Sequence, residues 1–374
     1  MTRFEYKEIK DVAEVTKLAG FEFTKYIKYI DDGEIIALRA LNLRRGELDL
    51  SDIKRIDKKV SDSLLRSKLY KNDIILTYTG NGYGDCAIIE EDDKYHLAPN
   101  ICKIMPNTEK IDPYFLYSYI RTAEFYQTMS NHMTGSGQPT IPMKTIRVLK
   151  VPVPSMKEQK IIASFMKSIN HTIRNNEIIN KNLEQQAQAI YQQMFITNRN
   201  PNWENGLLSD LIAVRYGKDH KKLEDGVYPV YGSGGIMRYV EKPLYTGESV
   251  LIPRKGTLNN VMYVNGAFWS VDTMFYTEML RSNVAKFLYH FVKSKDLASM
   301  NAGSAVPSMT TNILNAMQLY IPDNETLSTF EEIVSPMYSQ MQENKKQSKK
   351  LADLRDTLLP RLMSGELDVS EIEF

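Results

Sequence analysis

Large apolar residues recur every seven positions in two stretches of the chain. The first series is Ile162, Ile169, Asn176, Leu183 and Ile190. A second set, four positions further on, widens it: Met166, Ile173, Ala187 and Met194. The other series lies 168 residues later and reads Phe330, Met337, Asn344, Leu351 and Leu358. Heptad spacing predicts an amphipathic helix with one apolar seam, so the chain should contain two similar helices, each with an asparagine in mid-seam.

Proline marks where each helical stretch should break. Pro336 removes a backbone donor and is best placed at the first position of a helix. The repeat then predicts a matching break near residues 168–170. The longer helices would run from about 170 to 196 and from about 336 to 362, each about 40 Å long at 1.5 Å per residue.

Two such helices bury their seams most economically against each other, as an antiparallel coiled coil. This pairing brings Asn176 close to Asn344. A buried amide without a partner costs about 1 to 3 kcal/mol, so the two asparagines should restrict the register of the pair. The predicted helix-pairing residues are Ile169, Asn176, Leu183, Ile190, Met337, Asn344, Leu351 and Leu358.

The segment before the first helix has mixed periodicity. Residues 4–15 suggest a short strand entering a turn, and residues 34–59 suggest a hairpin that turns at Gly46. Strands are predicted at 73–78 and 86–91, on either side of the turn TGNGYG. Asp112 followed by Pro113 predicts a helix start, and the helical spacing continues to residue 129.

The beginning of the chain recurs after the first helix. Trp203, Leu208, Leu211 and Val214 follow Phe4, Ile9, Val12 and Val15 at an offset of 199 residues. The segment YTGESVLI follows YKNDIILT at 175, and Pro307 follows Pro139 at 168. A period this long indicates duplicated domains rather than a solenoid. We therefore predict a mixed α/β (α+β) chain, divided into a globular domain at 1–150, a helical spacer at 151–200, a second globular domain at 201–320 and a second helical region with the tail at 321–374.

Composition excludes several classes of protein. The 374 residues are 43% hydrophobic and 25% charged, which is typical of a globular protein. The net charge of +1 indicates no overall electrostatic attraction to nucleic acid. The two cysteines, Cys86 and Cys102, are too few for a disulfide scaffold and indicate reduced thiols. No apolar signal segment or run of eighteen apolar residues occurs, so we expect a cytoplasmic protein. The five histidines lack the spacing of metal ligands, and no metal is predicted.

Basic clusters in the two globular domains are the first candidates for DNA contact, because lysine and arginine neutralise phosphates and arginine also binds guanine edges. Taken singly, each is equally well explained as a solvated surface charge. The candidates are Arg44, Arg45, Lys54, Arg55, Lys58, Lys59, Arg215, Lys218, Lys221 and Lys222.

Loops in matching places of the two repeats are the second candidates. Tyr78-Thr79-Gly80 corresponds to Arg254-Lys255-Gly256, and TGSGQPT at 134–140 to AGSAVPS at 302–308. TGNGYGD at 79–85 and GSGG at 232–235 lack the spacing and the following helix of a dinucleotide-binding loop. Plain turns and connections remain the alternative. The candidates for DNA contact, with Gln138 as an adenine reader, are Tyr78, Asn81, Tyr83, Ser136, Gln138, Thr140, Arg254, Lys255, Ser304 and Ser308.

Several phrases, in order along the chain, resemble the specificity (S) subunit of type I restriction-modification systems, the HsdS family. They are VPVPSMKEQKIIASFMKSIN, YPVYGSGGIMRYVEKPLYTGESVLIPRKGT, FWSVDTMFY and LRDTLLPRLMSGELDV. The likeness covers essentially the whole chain. One departure is that the second helical region begins LYIPDNETLSTF, without the Glu-Gln pair of the first.

The resemblance implies a non-catalytic subunit whose two target-recognition domains each read half of a bipartite DNA site. The helices would set the spacing and dock two modification (methyltransferase) subunits, and restriction (endonuclease/translocase) subunits would join that core. No cofactor is expected in this chain, whereas S-adenosylmethionine, ATP and Mg²⁺ are expected in the partners. The chain itself contains no Asn/Asp-Pro-Pro-aromatic motif of an adenine methyltransferase. The alternatives are a free-standing two-headed DNA-binding regulator and an enzyme acting on nucleic acid.

Overall fold

Strands and helices alternate along the chain in an order that occurs twice. The computed structural model describes residues 4–44, 46–80, 82–135, 137–300 and 308–372. The strands of the first half are β1 (Glu5–Glu8), β2 (Ala13–Lys17), β3 (Ile35–Leu38), β4 (Leu43–Arg44), β5 (Glu47–Leu48), β6 (Lys54–Ile56), β7 (Ile74–Thr77), β8 (Cys86–Ile88), β9 (Tyr95–Leu97), β10 (Ile101–Pro106) and β11 (Lys150–Val153). Its helices are α1 (Ile9–Val12), α2 (Gly20–Tyr26), α3 (Lys58–Ser63), α4 (Pro113–Ile120), α5 (Ala123–Ser130) and α6 (Met143–Val148), followed by the long helix α7 (Met156–Tyr191).

The second half contains fewer but longer strands. They are β12 (Asn205–Leu207), β13 (Ile212–Tyr216), β14 (Asp225–Gly232), β15 (Gly235–Val240), β16 (Tyr245–Pro253), β17 (Met262–Ser270), β18 (Met274–Met279) and β19 (Gln318–Tyr320). The helices are α8 (Ala285–Lys293), α9 (Thr311–Asn315) and the long helix α10 (Asn324–Met363). A π-helical turn, Gln192–Thr197, continues α7.

The central sheets of the two halves share one strand order. The four-stranded sheet has the order β2-β10-β7-β8, and four neighbouring strands of the six-stranded sheet have the order β13-β18-β16-β17. A two-stranded sheet also recurs, because β1 pairs with β11 and β12 pairs with β19, both antiparallel. These correspondences follow the offsets seen in the sequence and confirm the duplicated α/β architecture.

The two halves differ in what is added to this shared sheet. The first carries the three-stranded sheet β6-β3-β9 and the β4-β5 hairpin, whereas the second extends its own sheet with β14 and β15. The insertion in the first half falls between β2 and β7, where the sequence offset drops from 199 to 175.

Local sequence signals locate several elements correctly. The carboxylate of Asp112 accepts hydrogen bonds from the backbone N–H groups of Tyr114 and Phe115, both at 2.9 Å, so the predicted helix start is confirmed. The prediction of one helix from there to residue 129 is wrong. The Thr122 hydroxyl accepts a hydrogen bond from the N–H of Phe125 at 3.2 Å and begins a second helix, α5.

The hairpin predicted at 34–59 is only partly correct. β4 and β5 form a tight antiparallel pair around Gly46, whose φ is +90°, and β3 pairs antiparallel with β6. The segment predicted as its end, from Lys58, is instead the start of α3, because the Asp57 carboxylate caps the N–H of Lys59 at 2.6 Å.

Both long helices are continuous, so the predicted breaks near residues 168–170 and at Pro336 are wrong. Pro336 lies inside α10 and has no N–H to donate to the carbonyl of Glu332. Both residues are exposed. Water can therefore satisfy that carbonyl. Packing of the neighbouring buried residues Phe330 and Val334 into a core offsets the cost of about 3 kcal/mol for an interior proline.

Contacts divide the chain into two compact units. Unit 1 comprises the described residues of Met1–Asn175 and Lys346–Phe374, and unit 2 comprises Asn176–Lys345, apart from residues 301–307. Each unit therefore contains one recurring sheet together with part of α7 and part of α10. The ends of the apolar seams belong to the unit cores: Ile162 and Met166 are buried in unit 1, and Ala187 and Phe330 are buried in unit 2.

The helices run antiparallel in both units, as predicted. In unit 1, the ammonium of Lys157 donates to the carbonyl of Ser370, and Asn170 accepts from Arg355. The partners of α7 therefore run in descending order, from Ser370 to Arg355, while the residue numbers on α7 rise from Lys157 to Asn170. In unit 2, Asn176 donates to the carbonyl of Asn344 and Asn180 to that of Met341, again in descending order.

Candidate nucleic-acid interface

In unit 1, the loop after β7 is hydrogen-bonded to the loop before α6. The N–H of Tyr78 donates to the carbonyl of Asn100 at 3.1 Å, and the N–H of Ile141 donates to the carbonyl of Tyr78 at 3.0 Å. Thr79 lies opposite Thr140 in an antiparallel bridge, and their hydroxyls are 3.3 Å apart. Two loops selected from the sequence therefore form one surface.

In unit 2, the loop after β16 is held in the same way. The N–H of Arg254 donates to the carbonyl of Thr273 at 2.8 Å, and the N–H of Met309 donates to the carbonyl of Arg254 at 2.9 Å. Lys255 lies opposite Ser308 in an antiparallel bridge. The loop that follows the strand again meets the segment that precedes the last short helix.

The hydrogen bonds make Tyr78 and Arg254 structurally equivalent. Each is fixed through its own N–H and its own carbonyl, and each is followed two residues later by a glycine with positive φ. These angles are +87° for Gly80 and +84° for Gly256, in the region where glycine is favoured. The same backbone frame thus carries different side chains in the two units.

Each frame also carries a cation over an aromatic ring. In unit 1, the ammonium of Lys17 lies 5.0 Å from the ring centroid of Tyr78 and donates to its hydroxyl at 3.3 Å. In unit 2, the guanidinium of Arg254 lies 5.3 Å from the ring centroid of Tyr216. Lys17 ends β2 and Tyr216 ends β13, so the two residue types have exchanged places between equivalent positions.

The loop at 79–85 is buttressed by stacked rings. The rings of Tyr83 and Tyr126 are 5.2 Å apart and inclined by 11°, and the Tyr83 hydroxyl lies 3.3 Å from that of Ser130. Hydrogen bonding with Ser130 lowers the pKa of Tyr83. Gln138 is exposed beside this loop, and its carbonyl accepts a hydrogen bond from the Thr140 hydroxyl at 3.2 Å. The amide of Gln138 is thus presented to solvent, as a base contact requires.

The basic residues predicted in unit 1 are spread over three elements. Arg44 pairs with Asp49 at 3.4 Å in the β4-β5 hairpin, and Lys58 pairs with Asp62 at 3.2 Å on α3. Arg55 on β6 donates to the carbonyl of Gly33 at 3.2 Å. The side chains of two others are exposed: Lys54 and Lys59.

In unit 2, the predicted basic residues lie on β13 and in the loop that follows it. Arg215 donates from Nε and Nη2 to the Glu278 carboxylate, both at 3.0 Å, so this guanidinium already has an anionic partner. The side chains of the other three, in the loop after Tyr216, are exposed: Lys218, Lys221 and Lys222. Four further sequence candidates lie outside the described residues: Arg45, Asn81, Ser136 and Ser304.

Sequence reasoning missed Lys17 and Tyr216. Lys17 lies outside the predicted basic clusters and loops, and Tyr216, although it lies between Arg215 and Lys218, is not basic and was therefore not selected. The available signal was the repeat itself, because the offset of 199 residues aligns Lys17 with Tyr216 and both end a strand.

The asparagines of the two seams form a polar layer in unit 2. Asn176 and Asn344 are both 6% exposed. Asn344 donates to the side-chain carbonyl of Asn180 at 2.9 Å and accepts from the amide of Gln340 at 2.7 Å, while Asn176 donates to the Asn344 backbone carbonyl at 3.4 Å. The remaining predicted pairing residues vary in burial: Ile169 is buried, and Leu183, Ile190, Met337, Leu351 and Leu358 are half-buried.

Both cysteines are free and buried in unit 1. Burial raises the pKa of the Cys86 thiol and of the Cys102 thiol to about 12, so both are neutral near pH 7. Among the described residues, no group of three or more His, Cys, Asp or Glu side chains is arranged to hold a metal ion. No helix in the described part of the chain is long and apolar enough to cross a membrane.

Comparison with known proteins gives consistent matches along the chain. A type I restriction enzyme specificity subunit, MjaIX, from Methanocaldococcus jannaschii is 22% identical over 420 residues, covering 99% of this chain and 94% of the relative. The HindI specificity subunit from Haemophilus influenzae is 20% identical, covering 93% and 96%. The crystal structure of the S subunit of a type I restriction-modification system from M. genitalium aligns with a TM-score of 0.65 at 16% identity, covering 99% of this chain and 98% of the other.

The family described as the type I restriction modification DNA specificity domain matches residues 1–185 and 200–352. These two matches correspond to the two occurrences of the sheet and of the paired-loop frame. The chain therefore belongs to the type I restriction-modification DNA specificity family.

Proposed function

We propose that this chain is the DNA-sequence specificity subunit of a type I restriction-modification complex. Each globular domain reads one half of a bipartite DNA site, and α7 with α10 sets the spacing between the halves. The observation that carries this proposal is the paired-loop frame around Tyr78 and its equivalent around Arg254. A frame that is conserved between repeats while its side chains differ suits two domains that perform one task on two different sequences.

The chemistry of the frame supports DNA as the ligand. Exposed lysines after β13 provide positive charge for phosphates, and Gln138 and Arg254 carry groups that hydrogen-bond to base edges. Phosphate contacts position a protein on the duplex, whereas contacts to base edges specify sequence. In unit 2, these lysines follow Tyr216, the residue whose ring lies against the Arg254 guanidinium.

In this proposal, the chain is not itself catalytic. Two modification subunits dock on the helices and supply adenine methylation with S-adenosylmethionine, and restriction subunits supply ATP- and Mg²⁺-dependent cleavage. No residue of this chain is assigned to bond making or breaking. The chain contributes the choice of sequence and the distance between its two halves.

Adenine methylation by the reconstituted complex tests the proposal. Purified modification subunits would be assayed on a random-sequence DNA pool with and without this chain. We expect methylation of a two-part site with a fixed gap only when the chain is present. Equal sequence preference without the chain, or a single uninterrupted site, would contradict the proposal. Turnover by the chain alone would instead indicate an enzyme, and specific binding without affinity for the modification subunits would indicate a free-standing regulator.

A further inference from the structure

Arg254 is held more rigidly than a surface arginine usually is. Its N–H and carbonyl are both bonded to neighbouring backbone, to Thr273 at 2.8 Å and from Met309 at 2.9 Å. The next turn is fixed by Gly256, where a Cβ would come within 2.8 Å of the Ser233 hydroxyl. The base of the side chain therefore occupies a defined position at the end of the sheet.

The guanidinium is also pre-positioned, and no carboxylate among the residues that the structure describes is bound to it. It lies 5.3 Å from the ring centroid of Tyr216, and its Nη1 donates to the carbonyl of Asp272 at 3.4 Å. By contrast, Arg215 and Arg238 of the same unit are bonded to the carboxylates of Glu278 and Asp225. A guanidinium has five N–H donors, so most of those on Arg254 remain available to a ligand.

The ring of Tyr216 lies between the Arg254 guanidinium and the ring of Phe275 in the chain of contacts. Tyr216 is 51% exposed, and its ring meets that of Phe275 in an edge-to-face contact with the ring centroids 5.0 Å apart. The next residue, Gly217, donates its N–H to the carbonyl of Met274 at 3.0 Å, and a Cβ there would come within 2.0 Å of the Val271 carbonyl. A side chain at that position is therefore excluded, and the backbone next to Tyr216 lies close to the Val271 segment.

From this geometry we propose that Arg254 reads a guanine in the half-site of the second domain and that Tyr216 is its positioning residue. The inference rests on the function proposed above. A planar guanidinium donates two parallel hydrogen bonds to O6 and N7 of guanine in the major groove, which is the commonest specific contact between a side chain and a base. Holding the side chain on a ring reduces the conformational entropy lost on binding.

In the equivalent frame of unit 1, the described residues provide no such reader. Tyr78 occupies the position of Arg254, and the cation beneath it is Lys17, whose ammonium is a point charge without a planar pair of donors. The first domain therefore reads its half-site with other groups, and substitution at Arg254 leaves that half-site unchanged.

The test is a methylation map of the complex assembled with Arg254→Lys, on the same random-sequence pool as the unaltered chain. Lysine keeps the charge but cannot form the bidentate contact. We expect preference for guanine at one position of one half-site to fall by about 5- to 150-fold, with the other half-site and the gap unchanged. Tyr216→Leu should weaken the same position to a smaller extent, whereas Tyr216→Phe, which keeps the ring, should not. Arg238→Lys is the matched control, because that arginine is already paired.

Thermal melting and assembly with the modification subunits first establish that each variant is folded. An unchanged sequence preference in Arg254→Lys, or an equal loss of methylation on every sequence, would overturn the inference. Equal loss on every sequence identifies a phosphate contact. These outcomes are distinct from failure of the proposed function, in which the unaltered chain itself would give no two-part site.

Discussion

At the scale of single residues, Tyr78 and Arg254 show that backbone position and side-chain identity are specified separately. Both residues are held by two backbone hydrogen bonds, and neither bond depends on the side chain. A substitution at either position should therefore change what the surface contacts without unfolding the loop. Such a frame allows recognition to diverge between two copies of one domain.

His290 should make the stability of unit 2 depend on pH. It is fully buried on α8, where its Nδ1 lies 2.7 Å from the side-chain oxygen of Gln188 and its Nε2 lies 3.0 Å from the Tyr338 hydroxyl. Burial lowers its pKa to about 4, with Lys293 acting in the same direction and Glu184 opposing it. In the unfolded chain this imidazole has a pKa of about 6.5, so as the pH falls below that value it binds a proton that it does not yet bind in the folded chain.

The free energy of unfolding should therefore fall as the pH drops below about 6.5, and this contribution should level off near pH 4 after a loss of about 3 kcal/mol. Urea unfolding of the unaltered chain and of His290→Gln, compared at a series of pH values, isolates the effect. The stability difference between them should shrink as the pH falls. A difference that stays constant with pH would contradict this account.

Lys286 is a buried cation whose loss should be costly. Its side chain is 5% exposed, and the ammonium contacts the carboxylates of Glu248 and Glu331. Lys286→Met leaves these two carboxylates without that partner, and we expect a loss of about 3 to 5 kcal/mol in urea unfolding. The control is Lys242→Met, an exposed lysine 3.8 Å from Glu241, which should change stability by less than about 1 kcal/mol. Equal effects of the two substitutions would contradict the assignment.

Sequence reasoning at this scale succeeds where one residue acts through its neighbours in the chain. Asp112 caps α4 as expected, because a cap needs only the next three residues. It fails for Lys17 and Tyr216, whose partners lie 61 and 38 positions away. Only the fold brings those pairs together. The charges of Arg44 and Lys58 were visible, but their pairing with Asp49 and Asp62 was not.

At the scale of elements, the helices illustrate how tertiary packing overrides local preference. Pro336 predicts a helix start, yet α10 continues through it because both Pro336 and the carbonyl-bearing Glu332 face solvent. The heptad pattern correctly predicted antiparallel pairing. It did not predict that residues at the ends of the seams, such as Ile162 and Phe330, are buried in the cores of the globular domains.

The asparagine layer should set register rather than stability. Replacing both Asn176 and Asn344 with leucine removes amides whose burial is costly, so the free energy of unfolding should stay the same or rise. The bonds of Asn344 to Asn180 and Gln340 are lost at the same time, and with them the preference for one register. Methylation mapping should then show tolerance for more than one gap length.

Asn175→Leu is the control, since Asn175 is exposed on the same helix and should leave the gap preference intact. If the double variant kept both its stability and its single gap length, the asparagines would have no role in register.

At the scale of the whole molecule, the duplication was readable from offsets between apolar positions, and the shared strand order confirms it. What the sequence could not provide is the extra structure of each copy. The sheet β6-β3-β9 and the added strands β14 and β15 follow no repeat, so nothing in one half predicts them from the other. The pairing of loops was likewise invisible, because it joins segments about 50 to 60 residues apart through backbone hydrogen bonds that any residue type can form.

The central claim is that each domain reads one half of the site independently. The most direct measurement compares methylation maps of complexes carrying Gln138→Ala in the first domain or Arg254→Ala in the second. Each variant should relax the sequence of one half only, a different half in each case, with the gap unchanged. Relaxation of both halves by either variant, or of the same half by both, would contradict the account.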